Sequence, residues 1–121
     1  MEMERVRFIN YEGRDILFLD FSRCKADEVV RTIHHAKQLI SSRPENSLLT
    51  LTDVTDARFN DEVGQNIKEF TAHNKPYVRA SAVVGITGLK KIIFSAVVRF
   101  SQRNITAFDD IEEAKSWLAK N

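Results

Sequence analysis

The residues whose types and spacing are best suited to chemistry form a short polar segment, Asp53-Val54-Thr55-Asp56, which follows an apolar run. Thr55 carries a hydroxyl that could accept a phosphoryl group, but the two neighbouring carboxylates would repel the added charge. Asp and Thr side chains also bind nearby backbone amides and thereby stabilise turns. We therefore expect a loop that these side chains shape, with phosphorylation of Thr55 as the alternative.

A second candidate is the basic pair Lys90-Lys91, which lies shortly after Thr87-Gly88. The positive end of a helix dipole disfavours lysines in the first turn, whereas free backbone N–H groups there can bind an anion. One interpretation is a site for a phosphorylated metabolite, a lipid head group or an acidic protein surface. Three further cations would share that site: Arg23, Lys25 and Arg58. The other interpretation is ion pairing with nearby carboxylates: Asp53, Asp56 and Asp109.

Residues of the types used in catalysis and metal binding do not form a set. His34 and His35 are adjacent, so on a helix they point in different directions, and His73 is remote in sequence. Cys24 lies near a helix start, where a thiol pKa can fall, but a small buried cysteine is the favoured interpretation. We predict a noncatalytic protein without a metal or another cofactor.

Strand and helix patterns alternate around these candidates. Residues 5–11 and 15–21 flank Glu12-Gly13-Arg14 and predict a hairpin whose first strand is a sheet edge. Apolar spacing along the rest of the chain predicts further elements. In order, these are a helix to about Ser42, a strand at 48–52, a helix ended by Asn74-Lys75-Pro76, a strand at 77–86, a helix from 89 to about 102, a strand at 105–108 and a final helix.

The resulting order, ββαβαβαβα, predicts an α/β fold with a mostly parallel sheet, an N-terminal antiparallel edge strand and flanking helices. The carboxyl ends of parallel strands share one edge, where ligand sites usually lie. Four strand-to-helix connections would reach that edge, at 22–25, 53–60, 85–88 and Asp109. Asp109 and Glu112 also have the spacing of a capping box for the last helix.

Composition limits the classes of function. The chain has 121 residues, which predicts a single domain over 1–121, and its 18 Lys and Arg nearly balance 17 Asp and Glu. This balance gives no overall field that favours nucleic acid. One cysteine, no signal-peptide pattern and a longest apolar run of only 92–98 predict a cytoplasmic protein that is not an integral membrane protein.

The helix that begins at residue 89 is unusually apolar. At 100° per residue, one apolar face carries Leu89, Ile92, Ile93, Ala96, Val97 and Phe100. Phe94 and Val98 fall on the opposite face, which predicts that both sides are covered. Another part of the chain, a second subunit or an acyl chain are the alternatives, and a homodimer with Phe94 and Val98 in its interface is favoured.

Several short patterns resemble the STAS and SpoIIAA-like family, whose fold is shared in outline with lipid-binding SEC14 domains. Asp53-Val54-Thr55 ends a strand, and Phe59-x-Asp61-x-x-Gly64 opens the next helix. The C-terminal part adds Phe108, Ala114 and Trp117-Leu118. The resemblance covers nearly the whole chain and implies the same fold as the element order.

The resemblance also implies a mechanism, namely regulation by phosphorylation of a serine at the start of a helix. In bacterial anti-sigma-factor antagonists of this family, the helix opens with Asp-Ser-Ser-Gly, and a partner kinase phosphorylates one serine. The matching positions here are Asp61, Glu62, Val63 and Gly64, so both serines are replaced. The phospho-serine role does not carry over. Glu62 is interpreted either as a constant negative charge or as an ordinary acidic residue of a first helical turn.

Two hypotheses of function follow. The leading one is a noncatalytic regulatory module that binds a protein partner through loops at the carboxyl edge. Its candidate residues are Asp53, Thr55, Asp56, Arg58, Glu62, Thr87, Gly88, Lys90 and Lys91. The alternative is a SEC14-like carrier or sensor of a small hydrophobic or anionic ligand, held between the helix that begins at Leu89 and the sheet.

Overall fold

The computed structural model describes residues 2–121, without the side chains of Glu2, Met3, Leu89 and Phe100. A short helix, α1 (Glu2–Arg5), precedes the predicted elements. The elements that follow are β1 (Val6–Tyr11), β2 (Arg14–Asp20), α2 (Ala26–Ser41), β3 (Leu48–Asp53), α3 (Asp61–Asn74), β4 (Val78–Val84), α4 (Leu89–Ser101), β5 (Ile105–Phe108) and α5 (Ile111–Ala119). The predicted order ββαβαβαβα is confirmed.

The five strands form one mixed sheet in the order β1-β2-β3-β4-β5. β1 pairs with β2 in antiparallel register and is an edge strand, as predicted, and the remaining neighbours are parallel. Strand order therefore follows chain order. Because every parallel crossover moves the chain in the same direction, the right-handed rule places α2, α3 and α4 on one face of the sheet.

Alternating side chains of the strands supply two cores. Leu17 and Leu19 of β2 pack toward α2 and α3. Ile16 and Phe18, from the same strand, pack toward α5. A strand buried on both faces explains the nearly continuous apolar run of β2. The molecule thus has three layers, with α2, α3 and α4 on one side of the sheet and α5 on the other.

β3 and β4 carry different residues on their two faces. Leu49 and Leu51 point to the α5 side, whereas Thr50 and Thr52 alternate with them on the other side. Ser81 of β4 lies on the same side as these threonines. Small side chains therefore face the helix layer in the part of the sheet that α4 covers. This alternation leaves room between the sheet and α4.

The cap of α5 differs from the prediction by one residue. Asp110, and not Asp109, is the N-cap, and its carboxylate accepts a hydrogen bond from the backbone N–H of Glu113 at 3.2 Å. Asp110 has the extended backbone conformation that an N-cap requires, and α5 begins only at Ile111. The predicted box of Asp109 and Glu112 is therefore wrong in register.

Two loops at the carboxyl edge approach each other closely at Gly85. Its φ of +87° lies in the left-handed region, and an added Cβ would lie 2.5 Å from the nitrogen and 2.8 Å from the Cα of Thr55. The backbone N–H of Val54 also donates to the carbonyl of Val84 at 3.0 Å. Glycine at this position lets the β3–α3 loop lie directly against the β4–α4 loop.

We predict that Gly85→Ala lowers the free energy of unfolding by about 1–3 kcal/mol, because the new methyl group meets backbone atoms and strains a positive φ. Gly64→Ala is the matched control. Gly64 lies in α3, and an added Cβ has nothing within 4 Å, so alanine should raise the free energy of unfolding by about 0.5–1 kcal/mol. Urea titration measures both values, and equal effects of the two substitutions would contradict the prediction.

Candidate functional site

The Asp53 segment is a structured turn. The Asp53 carboxylate accepts hydrogen bonds from the backbone N–H of Thr55 at 2.9 Å and from the Thr55 hydroxyl at 2.6 Å. The prediction that these side chains shape a loop is confirmed. Thr55 and Asp56 are exposed, and Asp56 has a φ of +56°. Phosphorylation of Thr55 stays a prediction.

The structure brings several of the other candidate residues to the same edge. The contact between Gly85 and Thr55 joins the β3–α3 loop to the β4–α4 loop, which contains Thr87 and Gly88. Five candidates are exposed there: Arg58, Glu62, Thr87, Gly88 and Lys91. Among the described residues, no ion pair joins Lys90 or Lys91 to Asp53, Asp56 or Asp109. The ion-pair interpretation of this edge is therefore not supported.

Lys90 does not share the exposure of Lys91. Its ammonium donates to the carbonyl oxygen of Val54 at 2.8 Å and lies 5.7 Å from the centre of the Phe59 ring. Both contacts turn the side chain beneath α4 rather than toward the solvent at the helix N-terminus. Lys90 therefore belongs to the wall of a cavity and ties the start of α4 to the end of β3.

That cavity lies between α4, α3 and the sheet and has a volume of about 100 Å³. Its walls are mostly apolar and include aromatic and branched side chains from the two helices, the strands and the β3–α3 loop. Representative wall residues are Phe59, Ile67, Phe70, Val83, Ile93 and Val97. The cavity forms where Thr50, Thr52 and Ser81 face α4, because these short side chains leave the space above the sheet unfilled.

The orientation of α4 corrects part of the predicted pattern. Ile92, expected on the buried face, is 69% exposed, whereas Phe94, expected on the opposite face, lines the cavity with Ile93 and Val97. Together with Lys90, these residues form one stripe along α4: Lys90, Ile93, Phe94 and Val97 occupy positions i, i+3, i+4 and i+7. Two further members of the predicted face, Leu89 and Phe100, lie outside the described side chains. Among α2–α5, only α4 has no buried residue among its described side chains.

The cavity has a polar end away from Lys90. The Arg103 guanidinium donates to the Ser81 hydroxyl at 2.7 Å and to the Thr71 carbonyl oxygen at 3.3 Å. The hydroxyls of Ser81 and Thr50 lie 2.5 Å apart and share a hydrogen bond. Thr50, Thr71 and Ser81 are buried, and all three line the cavity with Arg103. One cation and three hydroxyl-bearing residues thus converge at this end.

Arg103 has neutral partners only. It forms no ion pair with any carboxylate of the residues that the structure describes. Burial lowers the pKa of the Arg103 guanidinium to about 10, which still leaves the side chain charged near neutral pH. A partly buried cation without a counterion at the end of an apolar cavity is the strongest electrostatic feature of this region.

Sequence reasoning did not select Arg103, although two signals were present. One is the stripe of Lys90, Ile93, Phe94 and Val97, in which a cation shares an apolar face. The other is a local imbalance of charge, because residues 70–108 contain no Asp or Glu. Their cations are Lys75, Arg79, Lys90, Lys91, Arg99 and Arg103. A lysine or arginine in such a segment finds few local counterions.

The remaining reactive side chains do not assemble into a second site. Cys24 is fully buried in the core beneath α2, and burial raises the pKa of its thiol. Within the described part of the chain, no group of three or more His, Cys, Asp or Glu side chains has the arrangement of a metal site. Of the described helices, none has both the length and the apolar character that crossing a bilayer requires.

Comparison of the chain with protein-family models, curated proteins and solved structures finds no match. The resemblance to the STAS and SpoIIAA-like family therefore stays a hypothesis.

We predict that Cys24 in the folded protein reacts with iodoacetamide far more slowly than a free thiol at the same pH. The reason is that burial both blocks access and lowers the thiolate fraction by raising the pKa. Mass spectrometry of the alkylated protein measures the rate, with urea-unfolded protein as the control. Rapid alkylation without unfolding would contradict the buried position.

Proposed function

We propose that the protein is a noncatalytic carrier or sensor that holds a small apolar or amphipathic ligand beneath α4. The observation that supports this most directly is the apolar cavity between α4, α3 and the sheet, with a volume of about 100 Å³. Ligand pockets of proteins are typically concave, mostly apolar and supplied with a few polar groups. This cavity combines all three properties.

The apolar wall residues have no packing partners on the side that faces the cavity, so they lack dispersion contacts that an apolar occupant would supply. Larger residues at Thr50, Thr52 or Ser81 would fill the space. Binding of an apolar group would recover part of the lost contact energy.

The position of α4 supports reversible occupancy. Most residues of α4 are apolar, yet its described side chains are only partly buried or exposed. A helix packed in this way covers the sheet without filling the space beneath it. A ligand would complete the packing of Ile93, Phe94 and Val97, which line the cavity from above.

A neutral fluorescent probe, N-phenyl-1-naphthylamine, tests this proposal. We expect the wild-type protein to bind it saturably and Val97→Phe to weaken binding roughly tenfold, because the larger ring occupies the cavity. Ile92→Phe is the matched control on the same helix, since Ile92 is exposed and does not line the cavity. Fluorescence titration at constant protein concentration gives the dissociation constants.

Two results would count against the cavity as a ligand site. One is the absence of saturable probe binding by the folded wild-type protein. The other is equal binding by wild type, Val97→Phe and Ile92→Phe, which would place the probe elsewhere on the surface.

The second candidate function is regulation by a protein partner that contacts the carboxyl edge. One observation favours it, namely that Arg58, Glu62, Thr87, Gly88 and Lys91 are all exposed near the joined loops. Association of two copies through Phe94 and Val98 also stays a prediction. The largest described apolar exposure on α4 belongs to Ile92, whereas Phe94 lines the cavity.

If a partner binds the carboxyl edge, we expect Arg58→Glu and Glu62→Lys each to abolish its co-purification while circular dichroism shows an unchanged fold. Reversal of an exposed charge at an interface disrupts complementarity without removing core packing. Glu69→Lys is the control, because Glu69 is exposed on the same helix but away from its first turn. Loss of the partner with the control variant as well would contradict a site at the carboxyl edge.

A further inference from the structure

We propose that the ligand is an amphiphile with a single hydrocarbon chain and one carboxylate, and that its carboxylate binds Arg103 at the polar end of the cavity, away from Lys90. This inference rests on the proposed function, because it names the chemical class of ligand for the same cavity. It also fixes an orientation, with the head group at Arg103 and the hydrocarbon chain directed toward Lys90.

The first argument is the missing counterion. Arg103 is partly buried, and its two hydrogen-bond partners, the Ser81 hydroxyl and the Thr71 carbonyl, are both neutral. No carboxylate of the described residues pairs with it. Charges removed from water are normally paired, so a carboxylate supplied by a ligand would complete an arrangement that the protein leaves incomplete.

The second argument is the number of free donors. An arginine side chain carries five N–H groups in a planar fork that fits a carboxylate in bidentate geometry. The structure shows hydrogen bonds from one Nη1 and one Nη2 donor, at 3.3 Å and 2.7 Å. The Thr50 and Ser81 hydroxyls, which lie 2.5 Å apart, add a rotatable donor beside the guanidinium.

A purely structural role for Arg103 accounts for only one of its two hydrogen bonds. Thr71 lies in the last turn of α3, so its carbonyl is one of the groups that helices leave without an internal partner, and a cation near it is favourable. That contact is the longer of the two, at 3.3 Å. The shorter one leads to Ser81, a cavity wall residue, so the guanidinium is positioned for the cavity as well as for the helix end.

Lys90 is the weaker candidate for the head group. Its ammonium already donates to the Val54 carbonyl at 2.8 Å and lies over the Phe59 ring. Lys90 and Val97 are separated by seven residues of α4, or roughly 10 Å along the helix. The space between the two ends is apolar and has a volume of only about 100 Å³, which holds a short hydrocarbon segment of one chain and excludes a second chain.

Isothermal titration calorimetry of the wild-type protein with decanoate and with 1-decanol, at pH 7.5 and below their micelle concentrations, tests the class of ligand. The two probes share a chain and differ in charge. We expect decanoate to bind roughly tenfold more tightly, because charge-assisted hydrogen bonds are the stronger kind. Equal affinities, or tighter binding of decanol, would overturn the inference while leaving the cavity as a ligand site.

Substitution then locates the head group. Arg103→Met should remove the preference for decanoate while decanol still binds. Arg79→Met is the matched control, because Arg79 is exposed on β4 and its guanidinium contacts the Asn121 carbonyl rather than the cavity. A preference that survives Arg103→Met but disappears in Lys90→Met would reverse the orientation and overturn the inference.

A measurement on the wild-type protein avoids dependence on the folding of Arg103→Met. Isotope-filtered NOEs from bound decanoate should connect the methylene next to its carboxylate with Ser81 and Thr71, and its terminal methyl group with Phe59 and Ile86. The opposite pattern would overturn the orientation. Failure of decanoate, decanol and N-phenyl-1-naphthylamine alike to bind would instead reject the proposed function itself.

Discussion

The constraint on which the rest of the structure depends is that strand order follows chain order. β2 to β5 pair in parallel and in sequence, so the three crossover helices share one face of the sheet. A sheet of this kind has no point at which the strand order reverses, and that reversal usually opens the crevice for a ligand at the carboxyl edge. In this molecule the apolar cavity lies under the last crossover helix instead.

The alternation of side chains along β3 and β4 explains why the cavity under α4 stays open. Leu49 and Leu51 of β3 serve the α5 core, which leaves Thr50 and Thr52 to face the helix layer beside Ser81 of β4. Short hydroxyl side chains cannot reach α4, and one of them, Ser81, accepts a hydrogen bond from Arg103 and shares another with Thr50. The same residues therefore create the volume and supply its polar end. The alternation of side chains along β3 and β4 thus accounts for both the cavity and its polar end.

Much of the architecture could be predicted because it depends on local patterns. The alternation of Arg5 and Arg7 with Val6 and Phe8 indicates that β1 is an edge strand, and the element order follows from changes in apolar period. The orientation of α4 could not be predicted, because Phe94 and Val98 add apolar residues opposite its main apolar face, and tertiary packing selects which side turns inward. Arg103 escaped notice for a related reason, since its importance depends on Ser81 and Thr71, which are remote from it in sequence.

The limited burial of α4 has a consequence for local stability. Segments with few buried side chains open at lower free energy than the rest of a domain, often as one cooperative unit. α2, with Val29, Ile33, Ala36 and Ile40 buried, is expected to open only at high free energy. α4 is expected to open at low free energy, so hydrogen exchange of its amides would proceed by openings that leave the sheet intact. We therefore expect α4, whose described side chains are the least buried among α2–α5, to open before the other long helices and to give access to the cavity without a separate gate.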